Sequence, residues 1–337
     1  MGFPQEQTAI WVDLMGIDFV TQRHFLPLIV LERYGKDVRE KMLSSELDLG
    51  YFERLTIESR VAEVIKQLFA SSQLRQVFRL HGDVAFENHA NTLTDESKIV
   101  ANMGSLSLAQ EQPRRSGRLA AKQSRMSRLP LPAQPAAKHQ GPALRKASRP
   151  RADQFCVYNK GPEEKVPALI VEYKVPHKLT LAHIKAGIFD MDLEQVVRYQ
   201  EMEKPEYTCG RVVAAVITQA FSYMINGGLE YGYVYTGEAF IFLRVPHDDP
   251  STVYYYLSVP REDVGDTTGW TGNPSDDNRL HLTALGQGLA FTLRALQTPQ
   301  RGIQWKNWVA SKLDTWEMIY DDLWGEISEL DMPSSVF

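Results

Sequence analysis

Ala168-Leu-Ile-Val-Glu-Tyr-Lys-Val-Pro176 is an apolar, β-branched run that holds a carboxylate and an ammonium two positions apart. Its composition predicts a buried β-strand. Side chains alternate along a strand, so Glu172 and Lys174 share one face and Tyr173 takes the other. An unpaired buried charge costs several kcal/mol to desolvate. Two charges on one face therefore form either an internal ion pair at the strand's exposed end or a site with a chemical purpose.

Upstream, Asp153-Gln-Phe-Cys-Val-Tyr-Asn159 reads as a second strand, and the polar turn from Lys160 to Lys165 joins the two. A connection of this length predicts an antiparallel hairpin. Asp153, at the start of the first strand, then lies opposite the end of the second, where Glu172 and Lys174 stand. Three ionisable groups converge on one edge of the predicted sheet.

Earlier still, Leu55 to Ala70 has helical spacing at Ile57, Val61, Val64, Ile65 and Leu68. Glu58 falls on that apolar stripe. It is either a core-facing carboxylate or a stripe-edge residue that reaches solvent from the first turn. Gln76 to Phe86 has the content of a strand or a tight hairpin around His81-Gly-Asp83. Residues 1–50 are expected to be helical, with Phe19, Phe25, Leu26, Leu28, Ile29, Val30 and Leu31 supplying apolar faces and a role in packing alone.

Downstream, Asp192 to Met202 and Glu206 to Ile225 are predicted helices, the second carrying Val212, Val216, Gln219 and Tyr223 on one stripe. Gln219 and Tyr223 are four apart and project together, as a hydrogen-bonded core pair or as part of a site. Gly227-Gly228 ends this helix. Tyr231–Tyr235 and Ala239–Val245 read as an aromatic hairpin, and Val253 to Val259 as one more strand. Residues 281–297 and 303–326 are expected to be helices, with Trp308, Trp316, Ile319 and Leu323 in the core.

In this order the elements run helix with Glu58, strand, insertion, strand with Asp153, strand with Glu172-x-Lys174, helix with Gln219-x-x-x-Tyr223, then further strands. The arrangement resembles the PD-(D/E)XK nuclease superfamily, and most closely the nuclease-like PD-(D/E)XK domains of many fungal proteins, over roughly residues 55–87 and 152–297. The resemblance implies an α/β (α+β) fold: a restriction-endonuclease-like core, its mixed central sheet flanked by helices, with helical additions at both ends. It further implies Asp153, Glu172, Lys174 and Glu58 as catalytic residues, with Gln219 and Tyr223 in support. Asp153, Glu172 and the Tyr173 carbonyl would hold Mg²⁺ or Mn²⁺. Ala152 stands where the family's eponymous proline is expected.

Charge divides the chain. From Pro113 to Arg151 there are eleven Lys/Arg and no Asp or Glu, leaving 26 basic against 42 acidic side chains elsewhere. Residues 88–151 are rich in Pro, Ala, Ser, Gln and Arg and read as a disordered basic insertion. It separates residues 55–87 from 152–330 of one domain, which a helical segment, residues 1–54, precedes. Within it, Arg114, Arg115, Arg118 and Lys122, and a second cluster from Arg145 to Arg151, either contact nucleic-acid phosphates or an import receptor, or only solubilise. Cys156 and Cys209 are far apart with no CxxC or Cys/His cluster, which argues against a zinc site or a disulfide framework. No apolar run reaches membrane-spanning length, and no basic flank precedes an apolar start. The expectation is an intracellular protein, nuclear through its basic clusters, that acts on DNA as a metal-dependent nuclease. The competing reading is a catalytically idle module of the same fold that binds nucleic acid or protein. No P-loop, GxGxxG or HRD-type motif supports a phosphotransferase.

Overall fold

A computed structural model describes residues 2–16, 27–40, 43–88, 152–161, 164–198, 205–273 and 275–313, with Phe19, Gln22 and His24 as single residues. The basic clusters, Phe25, Leu26, Trp316, Ile319 and Leu323 lie outside them.

Before the sheet come α1 (Phe3–Met15), α2 (Leu28–Arg39), α3 (Glu46–Glu53), a π-helical turn (Arg54–Glu58), α4 (Ser59–Ala70) and α5 (Ser72–Val77). Strands β1 (Asp83–Glu87), β2 (Gln154–Asn159) and β3 (Lys165–Tyr173) follow. The chain then crosses through α6 (Leu181–Gly187), α7 (Leu193–Arg198) and α8 (Pro205–Gly227) to β4 (Tyr231–Tyr235), β5 (Phe240–Arg244) and β6 (Tyr254–Ser258). Helices α9 (Pro260–Val264), α10 (Ala284–Leu296) and α11 (Ile303–Ala310) close the described chain. The fold is mixed α+β, with six strands in the order β1 to β6. Every neighbouring pair is antiparallel except β3 and β4. A parallel pair needs a long crossover, which α6 to α8 provide.

Alternation along β3 feeds two cores. Leu169, Val171 and Tyr173 face Val61, Ile65, Phe242 and Phe291, under α4 and α10. Ile170 faces Ile184, Val212, Val216 and Met224, under α6 and α8. Helix α8 is long and apolar enough from Tyr207 to Gly227 to cross a membrane by length and composition, and half of that stretch is buried inside the fold. Gly228, at φ +66°, ends it.

Several expectations are corrected. Gln76 to Leu80 is not strand: Ser71 caps α5, and Leu74 and Phe78 are buried one helical turn apart. The strand begins only at Asp83, after Arg79 turns the chain at φ 49°. Ile29 and Leu31 on α2 are exposed rather than packed. On α11 the core positions are Trp305 and Val309, whereas Trp308 is 39% exposed, because the helix turns that side outward.

Candidate active site

The β2–β3 hairpin registers Gln154 against Val171, which sets Asp153 beside the end of β3. There the Tyr173 amide donates to Asp153 Oδ2 at 2.8 Å. Glu172 and Lys174, 2% and 3% exposed, lie together, and Lys174 Nζ donates to Glu172 Oε1 at 2.7 Å. The backbone amide of Lys174 bonds to the Tyr235 carbonyl, so β4 continues the strand's alignment past Tyr173. The expected convergence of Asp153, Glu172 and Lys174 is present in the geometry.

Sequence reasoning missed a fourth member of the cluster. Glu46, the first residue of α3, approaches Lys174 Nζ at 3.7 Å. Its helix starts at Ser45, whose hydroxyl accepts from the Asp48 amide. A Ser-x-x-Asp start was the available signal, since such a cap fixes where a helix begins. The assignment of residues 1–50 to packing alone is corrected by this contact.

One ammonium cannot neutralise three carboxylates. Burial pushes Glu172 up to about 8, offset in part by Lys174 and reinforced by Asp153 and Glu46. Burial also raises Asp153, against the Tyr173 amide and Lys174. Desolvation works against the Lys174 charge, but Glu172, Glu46 and Asp153 together hold its pKa above the usual lysine value. The site thus keeps its cation and carries surplus negative charge.

Gln219 Nε2 donates to the Tyr223 hydroxyl at 3.0 Å, and Tyr223 is 6% exposed. Burial is the main cause of the raised Tyr223 pKa, followed by the charges of Glu172 and Asp153. The pair therefore belongs to the same electrostatic neighbourhood as the strand carboxylates.

Glu58 is buried, the core-facing of its two readings, but it stands apart from the other residues implied as catalytic. It lies on the Tyr173 face of β3, the opposite side from Glu172. Its Oε1 accepts from the Tyr173 hydroxyl at 2.8 Å, its Oε2 accepts from Gln154, and Arg54 lies 3.9 Å away. Glu53, fully buried, accepts from the Tyr233 hydroxyl at 2.8 Å. Burial, then the Glu58 charge, raises Glu53 well above the carboxylate range, and burial lifts Glu58 to about 7. Gly50 lets α3 rest on this layer, because a Cβ there would stand 2.8 Å from the Tyr173 ring. Helix α3 thus sends Glu46 to one centre and Glu53 to the other.

No group of three or more His, Cys, Asp and Glu side chains is set to hold a metal among the described residues. The donor chemistry at the strand end still fits a hard cation that retains waters. Glu172 Oε2 is buried with no hydrogen-bond partner among the described residues, beside Asp153 and in a field of excess negative charge.

A family model described as the Spore killer 2 N-terminal domain matches residues 75–304, which include Asp153, Glu172, Lys174, Gln219 and Tyr223 but not α3 or Glu58. The chain is also 32% identical over 142 residues to a protein named Meiotic driver SPOK2, from Podospora anserina. That alignment takes in 39% of this chain and 17% of the relative, so the chain corresponds to a small part of that protein's length. No solved structure matches the chain.

Proposed function

The chain belongs to the Spore killer 2 N-terminal domain family, and we propose that it is a metal-dependent nuclease of PD-(D/E)XK type that hydrolyses DNA phosphodiesters as part of a meiotic driver. The observation that carries this reading is the buried Glu172–Lys174 pair at the end of β3, with Asp153 hydrogen-bonded across the hairpin to the intervening residue. The order of helix, three antiparallel strands, crossover helices and a parallel fourth strand supports it.

Asp153, Glu172 and the Tyr173 carbonyl would hold Mg²⁺ or Mn²⁺, which when bound supplies Lewis-acid stabilisation of the phosphate and acidifies a water. Lys174 presents a compact positive charge to the phosphoryl oxygens or to the attacking water. Its neighbours keep it protonated for that task. Tyr223, oriented by Gln219, offers a hydroxyl at the same centre. Arg114, Arg115, Arg118 and Lys122 add sequence-independent affinity by displacing counterions from the DNA backbone. Removing Arg114 to Lys122 is expected to flatten the dependence of DNA binding on salt, read as the slope of log K against log salt. An unchanged slope would exclude the cluster from the interface.

The full chain is expected to degrade labelled single- or double-stranded DNA with Mg²⁺ or Mn²⁺. EDTA and Lys174→Ala should each remove the activity, the latter by about 10²-fold or more, the scale of losing one transition-state charge donor. The second reading is the idle binding module, favoured by the finding that no group of three or more His, Cys, Asp and Glu side chains is set to hold a metal among the described residues. That reading wins if neither cleavage nor Asp153-dependent metal binding is seen.

A further inference from the structure

A cleft of about 1030 Å³ opens beside the strand-end centre, with Glu46, Asp153 and Tyr173 on its inner wall. We infer that this cleft receives unpaired nucleobases, so that the substrate is a single-stranded end or flap rather than an intact duplex. The inference rests on the nuclease reading and deepens it.

Four features carry it. First, the volume is that of a large small-molecule pocket, which accepts a nucleotide or two but not a duplex. Second, the cleft is lined by two tyrosines from different helices, Tyr34 on α2 and Tyr51 on α3, which are 46% and 53% exposed. Exposed aromatic rings beside a phosphate-handling centre are stacking platforms for bases, since every base offers a π-face. Third, the charge of the lining selects the part of the nucleotide that enters. Among the described residues, Asp37, Glu46, Asp48 and Asp153 line the cleft against one cation, Arg54, whose guanidinium already donates to Asn88 and Gln154. Carboxylates repel phosphates but accept hydrogen bonds from the exocyclic amines of bases. The base side therefore enters the cleft, while the phosphate stays outside its acidic wall. Fourth, a paired base has its edge engaged and its faces covered by neighbours, so only an unpaired one presents both to a pocket.

The test uses the full chain with a fluorescent single-stranded oligonucleotide and the blunt duplex of the same sequence. Binding is read by anisotropy in Ca²⁺, and cleavage separately in Mn²⁺. Single-stranded probe should bind at least about tenfold tighter than duplex, and Tyr51→Ala and Tyr34→Ala should each weaken it about tenfold, with Tyr51→Phe restoring affinity. Both tyrosines are exposed, so the variants should unfold with wild-type midpoints. Equal affinity for the two probes, binding to neither, indifference to both alanine variants, or preferential capture of an arginine-rich peptide would overturn the inference. If Lys174-dependent cleavage persists in any of those cases, the nuclease reading stands without it. Tyrosine-dependent single-strand binding with neither cleavage of either probe nor Asp153-dependent metal binding would leave the cleft assignment in place and remove the nuclease reading.

Discussion

Lys174→Met should destabilise the metal-free protein by about 3–5 kcal/mol at pH 8, the scale of leaving one half of a buried ion pair uncompensated. The loss should shrink toward pH 5. In the variant Glu172, Asp153 and Glu46 face one another without the ammonium that now lies 2.7 Å from Glu172. Asp153, which Lys174 now holds down, must rise through this range, and Glu172, already about 8 with Lys174 present, must rise further above it. A carboxyl whose folded pKa exceeds its unfolded value binds an extra proton in the folded state between the two values. Stability is therefore full below the unfolded pKa and falls as pH climbs through the folded one. Urea denaturation at pH 5 and pH 8 measures both numbers. A penalty that is equal at the two pH values would mean that the substituted side chain disturbs packing and that no charge imbalance exists at the strand end.

Glu53→Gln is expected to stabilise the protein above pH 7 by about 2–3 kcal/mol and to change little near pH 4.5. Glu53 and Glu58 lie on the far face of the sheet with Tyr173, Tyr233 and Tyr235 around them and, among the described residues, Arg54 as the nearby cation. Glu53 Oε2 has no hydrogen-bond partner among the described residues. Both carboxyls are raised, so the fold holds protons that the unfolded chain releases. Wild-type stability must then decline as pH rises from about 4.5 through 7, by roughly 3 kcal/mol for Glu58 alone. A glutamine keeps the acceptor for the Tyr233 hydroxyl and removes the second buried charge. Thermal melts of the two proteins between pH 4.5 and 8.5 should converge at the acid end and separate at the alkaline end. Parallel curves would refute the raised pKa values.

Much of this arrangement was legible in the chain. Alternation in the Ala168–Pro176 stretch separated Glu172 and Lys174 from Tyr173, and the two faces indeed enter different cores. The short Lys160–Lys165 turn fixed the hairpin and with it the place of Asp153. Helical stripe analysis placed Glu58 on the apolar face but left open whether it was buried, and it could not say which side of the sheet α4 would cover. The sheet's connectivity decides that, and it pairs Glu58 with Tyr173, on the face away from Glu172 and Lys174. Glu46 was invisible for a related reason, because an exposed acid at a helix start is ordinary until a distant lysine is brought beside it. Phe78 shows the local limit: aromatic and β-branched residues suggested a strand, while the burial of Leu74 and Phe78 four residues apart belongs to a helix.

The parallel pairing of β3 with β4 has a consequence for the order in which the protein comes into being. Tyr173 finds Tyr235 only after the whole crossover has been synthesised, and Tyr223 lies within that crossover. A nascent chain that has just released Glu172 and Lys174 from the ribosome can pair β3 with β2 on one side but has nothing yet on the other. Pairings between segments so distant in sequence form late because loop closure precedes any gain from contact. Chains that stop short of Tyr231 therefore leave the β4 side of β3 unpaired and lack the Tyr235 carbonyl that holds the Lys174 amide.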